Sequence, residues 1–549
     1  MSLRRISLLA LMALLLSVAP TVAHASDPTI TATQPRRGPV GAKIFIKGSG
    51  FSDATDVEFN GTPATFTIRS DTTIRTNVPS GATSGPVTVT AGTTAQSPLP
   101  FTVQPNIVLI LTDDQRYDQL DHMPVVQSQL LGKGVDFSNG FVVNPLCCPS
   151  RATILTGKYS HGTDVYSNIY PHGSFRTFVT DNHEDRSTIA TWLQKVGYDT
   201  GIVGKYLNGY STKKTAYISP GWNTWDVLAL QGGAGGEGKG GYYNYNLSVQ
   251  GVDTLYGSDP ADYSTDVLSS YATDFIRNAP ASQPLFLYFA PRAPHGPATP
   301  PDRYAGVFKD LPPFRPPAYN EDDVSDKPSY IQDVAPWSSD RQAAEDNFVQ
   351  KEYESLLAVD DSVGSIIQAL RASGRLEDTL ILFASDNGLE LGEHRWDAKK
   401  VPYEESIRVP IIVRYDALMN GNASTDPSLV ANLDFAPTFA AAGGATTPNT
   451  VEGMNMLPLL DGSASSWRSD FLIEHLDPKT VQVPAYCAVR NADEIYVKYQ
   501  DGFEELYDLR TDPNELTNVA DDPTYAVDKQ LLYQRMVQLC QPPPPGYTP

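Results

Sequence analysis

Basic charge is what this 549-residue chain has too little of: 41 lysines and arginines stand against 63 aspartates and glutamates, a formal net charge of −22. The deficit argues against a nucleic-acid surface and against general attraction to anionic lipid, since both need clustered cations. An anionic ligand must therefore find a local basic patch. Cysteine is scarce too, with Cys147, Cys148, Cys487 and Cys540 making up the whole set. Of these, Cys487 and Cys540 are plausible disulfide partners within one C-terminal unit of an exported protein. Long apolar runs are missing beyond the N-terminus, so no membrane span is expected.

What is present starts with an address. Arg4 and Arg5 precede an apolar run from Leu8 to Val18 and a small-residue site, Ala23-His24-Ala25. This reads as a signal peptide over residues 1–25, and the mature protein is expected to be secreted, periplasmic or held at the cell surface. The remaining length exceeds one ordinary core, so two or three domains are expected. From Pro28 to Val103 short β-runs such as Lys43-Ile44-Phe45-Ile46 and Pro86-Val87-Thr88-Val89-Thr90 alternate with turn residues. That pattern predicts an all-β immunoglobulin-like sandwich over 28–103. The phrases Gly48-Ser49-Gly50-Phe51 and Val57-Glu58-Phe59-Asn60-Gly61 resemble those of the IPT/TIG module. No catalytic constellation lies there, and a spacer or a surface-binding module is the reading.

After Gln104-Pro105 the texture becomes apolar runs alternating with amphipathic helices, which predicts an α/β domain with a mainly parallel sheet over 104–462. A small α+β subdomain over 463–540 and a disordered Pro-rich tail, 541–549, are expected to follow. Four apolar runs end in polar groups. Asn106–Leu111 runs into Asp113-Asp114, Asp199–Val203 into Lys205, Pro284–Ala290 toward His295, and Thr379–Ala384 into Asp386-Asn387. Open α/β sheets bind ligands at the carboxyl ends of their strands, so these ends predict one shared site. Asp113, Asp114, Asp386 and Asn387 offer the oxygen atoms that a hard divalent cation needs. A strand-ending acid pair alone is more often a helix cap. Gln231 to Gly241 reads as a flexible glycine-rich loop. The cluster Tyr242-Tyr243-Asn244-Tyr245-Asn246 suits sugar stacking or, equally, a packed hairpin.

The eleven residues Cys147-Cys148-Pro149-Ser150-Arg151-Ala152-Thr153-Ile154-Leu155-Thr156-Gly157 combine a reactive side chain, a rigid turn and an anion-binding arginine. Proline favours the first turn of a helix and Ser150 can help cap it, so Cys147 is expected at the positive end of a helix. Adjacent cysteines are otherwise ordinary buried hydrophobes, or one of them pairs in a disulfide.

The whole string, Cys-x-Pro-Ser-Arg followed by Leu-Thr-Gly, resembles the signature of the type I sulfatases of the alkaline-phosphatase-like superfamily. The resemblance implies that Cys147 is converted by a formylglycine-generating enzyme to formylglycine, whose hydrated aldehyde is the nucleophile. It implies Ca2+, with Mg2+ possible, held by Asp113, Asp114, Asp386, Asn387 and an oxygen of residue 147. Arg151 and Lys205 are implied to hold the sulfate, while His295 and Lys399 sit around the leaving oxygen. A sulfo-enzyme would form, and the second hydroxyl of the diol would expel sulfate. Many members carry a histidine two residues beyond the strand-end lysine, whereas this chain has Leu207 and then Asn208. His161 and His394 are the candidates for the missing base, and with Asn208 they are expected at the substrate.

Gly204-Lys205-Tyr206-Leu207-Asn208, Pro220-Gly221-Trp222 and Thr156-Gly157-Lys158-Tyr159-Ser160-His161 resemble the branch holding N-acetylglucosamine-6-sulfatase and the heparan 6-O-endosulfatases. The expected partner is a sulfated carbohydrate or small sulfate ester, with the 6-O-sulfate of an N-acetylglucosamine-type sugar favoured. A phosphoester or phosphonate-ester hydrolase of the same superfamily, or an inactive carbohydrate-binding protein, is the alternative.

Overall fold

The computed structural model describes residues 27–211, 217–229, 241–419, 422–476 and 482–549. The signal peptide and all but Gly241 of the glycine-rich stretch lie outside the described residues. No helix among the described residues is long and apolar enough to cross a membrane.

Six strands carry the centre of the molecule: β1 (Asn106–Thr112), β2 (Asp199–Gly204), β3 (Thr224–Ala229), β4 (Leu285–Ala290), β5 (Thr379–Ser385) and β6 (Ile411–Arg414). They lie side by side in the order β3-β2-β4-β1-β5-β6 within a ten-stranded sheet. The first five run parallel and β6 turns antiparallel. A hairpin, Asn246–Val249 and Val252–Leu255, extends the β3 edge. Val135–Phe137 and Ser424–Asp426 extend the β6 edge.

β1 shows why its sequence is continuously apolar. Successive side chains of a strand point to opposite faces, and both faces here are covered. Ile107, Leu109 and Leu111 enter one core, and Val108 and Ile110 the other. The first core is closed by α1 (Cys147–Thr156) and α4 (Phe435–Gly443), the second by α2 (Ser264–Asn278) and α3 (Ser339–Ala372). The C-terminal half of α3 is amphipathic, with Leu356, Val359, Val363, Ile366, Ile367 and Leu370 buried. The sugar-stacking option for Tyr242, Tyr243 and Tyr245 gives way to packing. All three are buried in the second core, and Tyr242 donates its hydroxyl to the His295 carbonyl at 2.7 Å.

The N-terminal unit is the expected sandwich, two four-stranded sheets enclosing Ile44, Ile46, Val57, Phe59, Ile74, Val87 and Val89. The C-terminal unit is a four-stranded antiparallel sheet, Asp470–His475, Tyr486–Asn491, Glu494–Tyr499 and Glu504–Asp508, with α5 (Ala526–Leu539) packed on it. Cys487 and Cys540 form a disulfide between that sheet and the end of α5. Tyr486–Asn491 and Glu494–Tyr499 form a hairpin, in which Asn491 turns the chain by accepting from the backbone N–H groups of Asp493 and Glu494. One expectation is corrected here, the disordered tail: Tyr547 is buried and donates to the Lys498 carbonyl at 3.0 Å, so one aromatic anchors the proline run.

Candidate active site

α1 begins at Cys147 itself, with Leu146 as its extended N-cap. Pro149 therefore stands inside the first turn, where its missing N–H costs no hydrogen bond. Ser150 is not the cap that the sequence offered. It lies within α1, and its hydroxyl accepts from Asn432 at 2.8 Å. The helix ends at Gly157, whose φ of 68° is the left-handed conformation a glycine takes without penalty. Every side chain of α1 is buried, so the thiol points into protein rather than into bulk water.

Four adjacent strand ends meet this thiol. From β1 come Asp113 and Asp114, the latter at a φ of 70°, a left-handed conformation that is strained for a residue other than glycine. Lys205 follows β2 through Gly204, where a Cβ would stand 2.0 Å from the Ala290 carbonyl oxygen, so only glycine fits. His295 follows β4, and Asp386 and Asn387 follow β5. Lys399 arrives on the loop after β5 and sets its ammonium 2.9 Å from Cys147 Sγ while also donating to Asp114.

The charges interlock. Lys205 Nζ bridges both oxygens of Asp113 at 2.7 Å and stands 3.9 Å from Asp386. Arg151 donates through Nε to Asp386 at 2.7 Å and through Nη1 to the Lys205 carbonyl at 2.8 Å. His295 Nε2 lies 3.6 Å from Asp114. Burial opposes the charge on Asp113, yet Lys205, His295, Arg151 and Lys399 together hold its carboxyl well below the usual range. Burial and the neighbouring Asp113 push Asp386 up to about 6 against the pull of Arg151. Burial likewise drives the His295 imidazole down to about 4, overriding Asp114 and Asp113.

Donor atoms of Asp113, Asp114, Cys147 and His295 lie within 4.8 Å of one another. Asn387 donates its amide N–H to Asp114 at 2.7 Å, which leaves its Oδ1 buried without a hydrogen-bond partner. An orphaned amide oxygen beside carboxylates is what a hard cation satisfies, so these residues fit a divalent ion. The three carboxylates of Asp113, Asp114 and Asp386 face three cations, Arg151, Lys205 and Lys399. A divalent ion would leave the cluster net positive, ready for an anionic ester.

The structure does not bring every expected residue in. Both ring nitrogens of His161 are occupied by Glu474 and Glu452, at 3.2 and 3.3 Å. His394 is fully buried against Glu321 and Tyr403. Neither is in contact with the cluster. Leu207 packs in the first core, so the position of the missing histidine is apolar rather than vacant. Asn208 stands beside α1 with a buried Oδ1 that has no partner. One group went unread: Arg292, three residues before His295, sets Nη2 3.3 Å from His295 Nδ1. A charge so close to a strand-end histidine was the available signal.

The ion pairs of His161 have a measurable consequence. Burial would lower its pKa, but hydrogen bonds to Glu452 and Glu474 raise it from 6.5 to about 10. A raised folded value means stability fully present below pH 6.5 and lost as the pH climbs through about 10. The melting temperature is expected to fall across that window, and His161→Asn should flatten the slope. Thermal unfolding from pH 6 to 10 reads this, and equal slopes in both proteins would refute it.

A parallel sheet whose strand ends gather carboxylates and ammonium groups around a helix N-terminus defines a hydrolase of alkaline-phosphatase-like architecture. The comparisons narrow the class. The sulfatase family matches residues 105–445, the C-terminal module of N-sulphoglucosamine sulphohydrolase matches 392–541, and the IPT/TIG domain matches 28–103. Human N-acetylglucosamine-6-sulfatase is 31% identical over 488 residues, covering 80% of this chain and 86% of the human protein. The extracellular sulfatase SULF-1 homolog of Drosophila melanogaster is 32% identical over 382 residues, covering 68% of this chain and 33% of that protein. One solved structure, a complex with its substrate D-glucosamine-2-N,6-O-disulfate, superposes with a TM-score of 0.69 at 24% identity. It covers 80% of this chain and 98% of its own. The chain belongs to the sulfatase family and is a sulfuric ester hydrolase.

Proposed function

We propose that the protein is an exported sulfatase that removes the 6-O-sulfate from an N-acetylglucosamine-type sugar, using residue 147 as formylglycine. The convergence of four strand ends on Cys147, with the orphaned Oδ1 of Asn387 among them, is the observation that carries this reading. Substrate class is supported by the relatives that act on N-acetylglucosamine 6-sulfate, and export by the extracellular ones.

Asp113, Asp114, Asp386 and Asn387 would hold Ca2+ or Mg2+ together with residue 147. Such an ion supplies positive charge that acidifies the nucleophile and neutralises sulfate oxygens. The chain's own groups do the rest. Arg151 orients Asp386, and the ammonium of Lys205, beside Asp113 and Asp386, would hold the sulfate. Lys399, which burial opposes but Asp114 keeps strongly protonated, carries the proton nearest the reacting atom. It donates to the leaving oxygen, and the neutral His295 fixes that oxygen by a second hydrogen bond. Asn208 Oδ1 accepts from a sugar hydroxyl.

The test is the mass of the peptide carrying residue 147 from the exported protein, paired with rates on N-acetylglucosamine 6-sulfate and on aryl sulfate and aryl phosphate esters. Aldehyde at 147 and preference for sulfate are expected. Unmodified thiol in active protein would sink the nucleophile, and faster phosphate turnover would favour a phosphoester or phosphonate-ester hydrolase.

A further inference from the structure

We propose that His394, Glu405 and Glu515 form a second divalent-cation site, distinct from the strand-end cluster, that ties the C-terminal subdomain to the loop carrying Lys399. One ring nitrogen of His394 and one carboxylate oxygen from each glutamate lie within 4.8 Å of one another. His394 is fully buried, and its Nδ1 is bonded to Glu321 Oε2 at 2.7 Å. Its Nε2 has no hydrogen-bond partner. Histidines that ligate metals hold their other nitrogen against a carboxylate in this way, which fixes the tautomer and aims the free nitrogen at the ion.

Glu515, 1% exposed, repeats the pattern. Its Oε2 accepts from the Glu404 backbone N–H at 2.9 Å, while its Oε1 is buried and unpartnered. The neighbouring acids have counterions, Arg116 for Glu393 and Arg490 for Glu404. Among the described residues, no lysine or arginine lies within ion-pair distance of Glu405 or Glu515. Arg490 and Arg116 act on Glu515 and Glu405 only from beyond contact, being paired with Glu404 and Glu393, so two carboxylates and an imidazole lone pair converge with no cation of the chain in contact, an arrangement that is costly to bury unless an ion satisfies it.

The donor set selects the ion. Imidazole with carboxylates suits a first-row divalent cation, Zn2+ foremost, whereas the all-oxygen donors of Asp113, Asp114, Asp386 and Asn387 suit Ca2+. Tetrahedral ligands at Zn2+ distances stand about 3.4 Å apart, so modest side-chain rotations close the site. Its position gives it a structural role. His394 and Glu405 bracket Lys399 in sequence, and Glu515 belongs to the C-terminal unit.

The experiment uses the exported full-length protein, equilibrated with Ca2+ and Zn2+, gel-filtered and assayed for metal by mass spectrometry. One zinc per chain is expected alongside calcium. Glu405→Gln, Glu515→Gln and His394→Gln should each lower zinc about ten-fold or more while calcium stays unchanged. Asp113→Asn should do the reverse. Because a core variant can misfold, wild-type crystals supply an independent readout, an anomalous zinc peak beside His394 Nε2. Zinc absent from the wild type, zinc retained by all three variants, or an anomalous peak elsewhere would each overturn the proposal. Calcium loss in Asp113→Asn with zinc intact would separate this site from the catalytic reading.

Discussion

Replacing Cys147 with alanine is expected to lower sulfate-ester turnover on the order of 10⁴ to 10⁶-fold, the scale seen when a catalytic nucleophile is deleted. The fold should survive, because the change removes one buried atom at the first position of α1 and costs about 1 kcal/mol. The thiol itself is a poor candidate for the nucleophile. Burial pushes it up to about 11 despite the nearby ammonium groups of Lys205 and Lys399, so it stays protonated at neutral pH. The proposed conversion to an aldehyde hydrate would supply what the thiol lacks, and its second hydroxyl would allow sulfate to leave. Cys147→Ser tests that last step, since a serine ester has no second hydroxyl. It should react at most once and remain esterified. Turnover numbers on an aryl sulfate, with melting temperature as the control, decide the matter. A surviving normal rate in Cys147→Ala would point to another nucleophile.

The shared site was legible because its parts sit at strand ends. A buried parallel strand announces itself as an unbroken apolar run, and the polar residue that ends the run marks the sheet's carboxyl edge. Asp113, Lys205, His295 and Asp386 follow four such runs, and the runs prove to be neighbours. Residues placed by tertiary contact had no such marker. His161 and His394 were singled out because the expected histidine was missing, yet each is held by a glutamate 73 to 313 residues distant in sequence. Cys147 lies at the helix start as expected, but Ser150 was misread as a cap, since it has the chemistry of one and nothing local shows that Asn432 claims its hydroxyl. The antiparallel β6 and the approach of Glu515 to His394 also depend on distant pairings, which periodicity does not report.

Arg151→Ala is expected to destabilise the protein by about 3–5 kcal/mol, the cost of stranding one member of a buried ion pair. Both side chains of the Arg151–Asp386 pair are fully inaccessible, at 2.7 Å. Burial opposes the arginine's charge, but Asp386 and the other anions around it raise its pKa above the ordinary value. The loss should reach the chemistry as well. Asp386 already sits near 6 with its partner present, so removing Arg151 drives it further toward the protonated form. A protonated carboxyl is a weak cation ligand, and calcium affinity should fall together with stability. Arg151→Lys separates charge from geometry. It keeps one positive charge but cannot reach both Asp386 and the Lys205 carbonyl, because the planar fork that makes both bonds is lost. Stability and calcium affinity between those of wild type and Arg151→Ala are therefore expected. Urea midpoints and calcium titrations on the three proteins read both effects. An Arg151→Ala protein within about 1 kcal/mol of wild type would mean that Asp386 is neutral in the fold, and the charge balance drawn for the cluster would have to be abandoned.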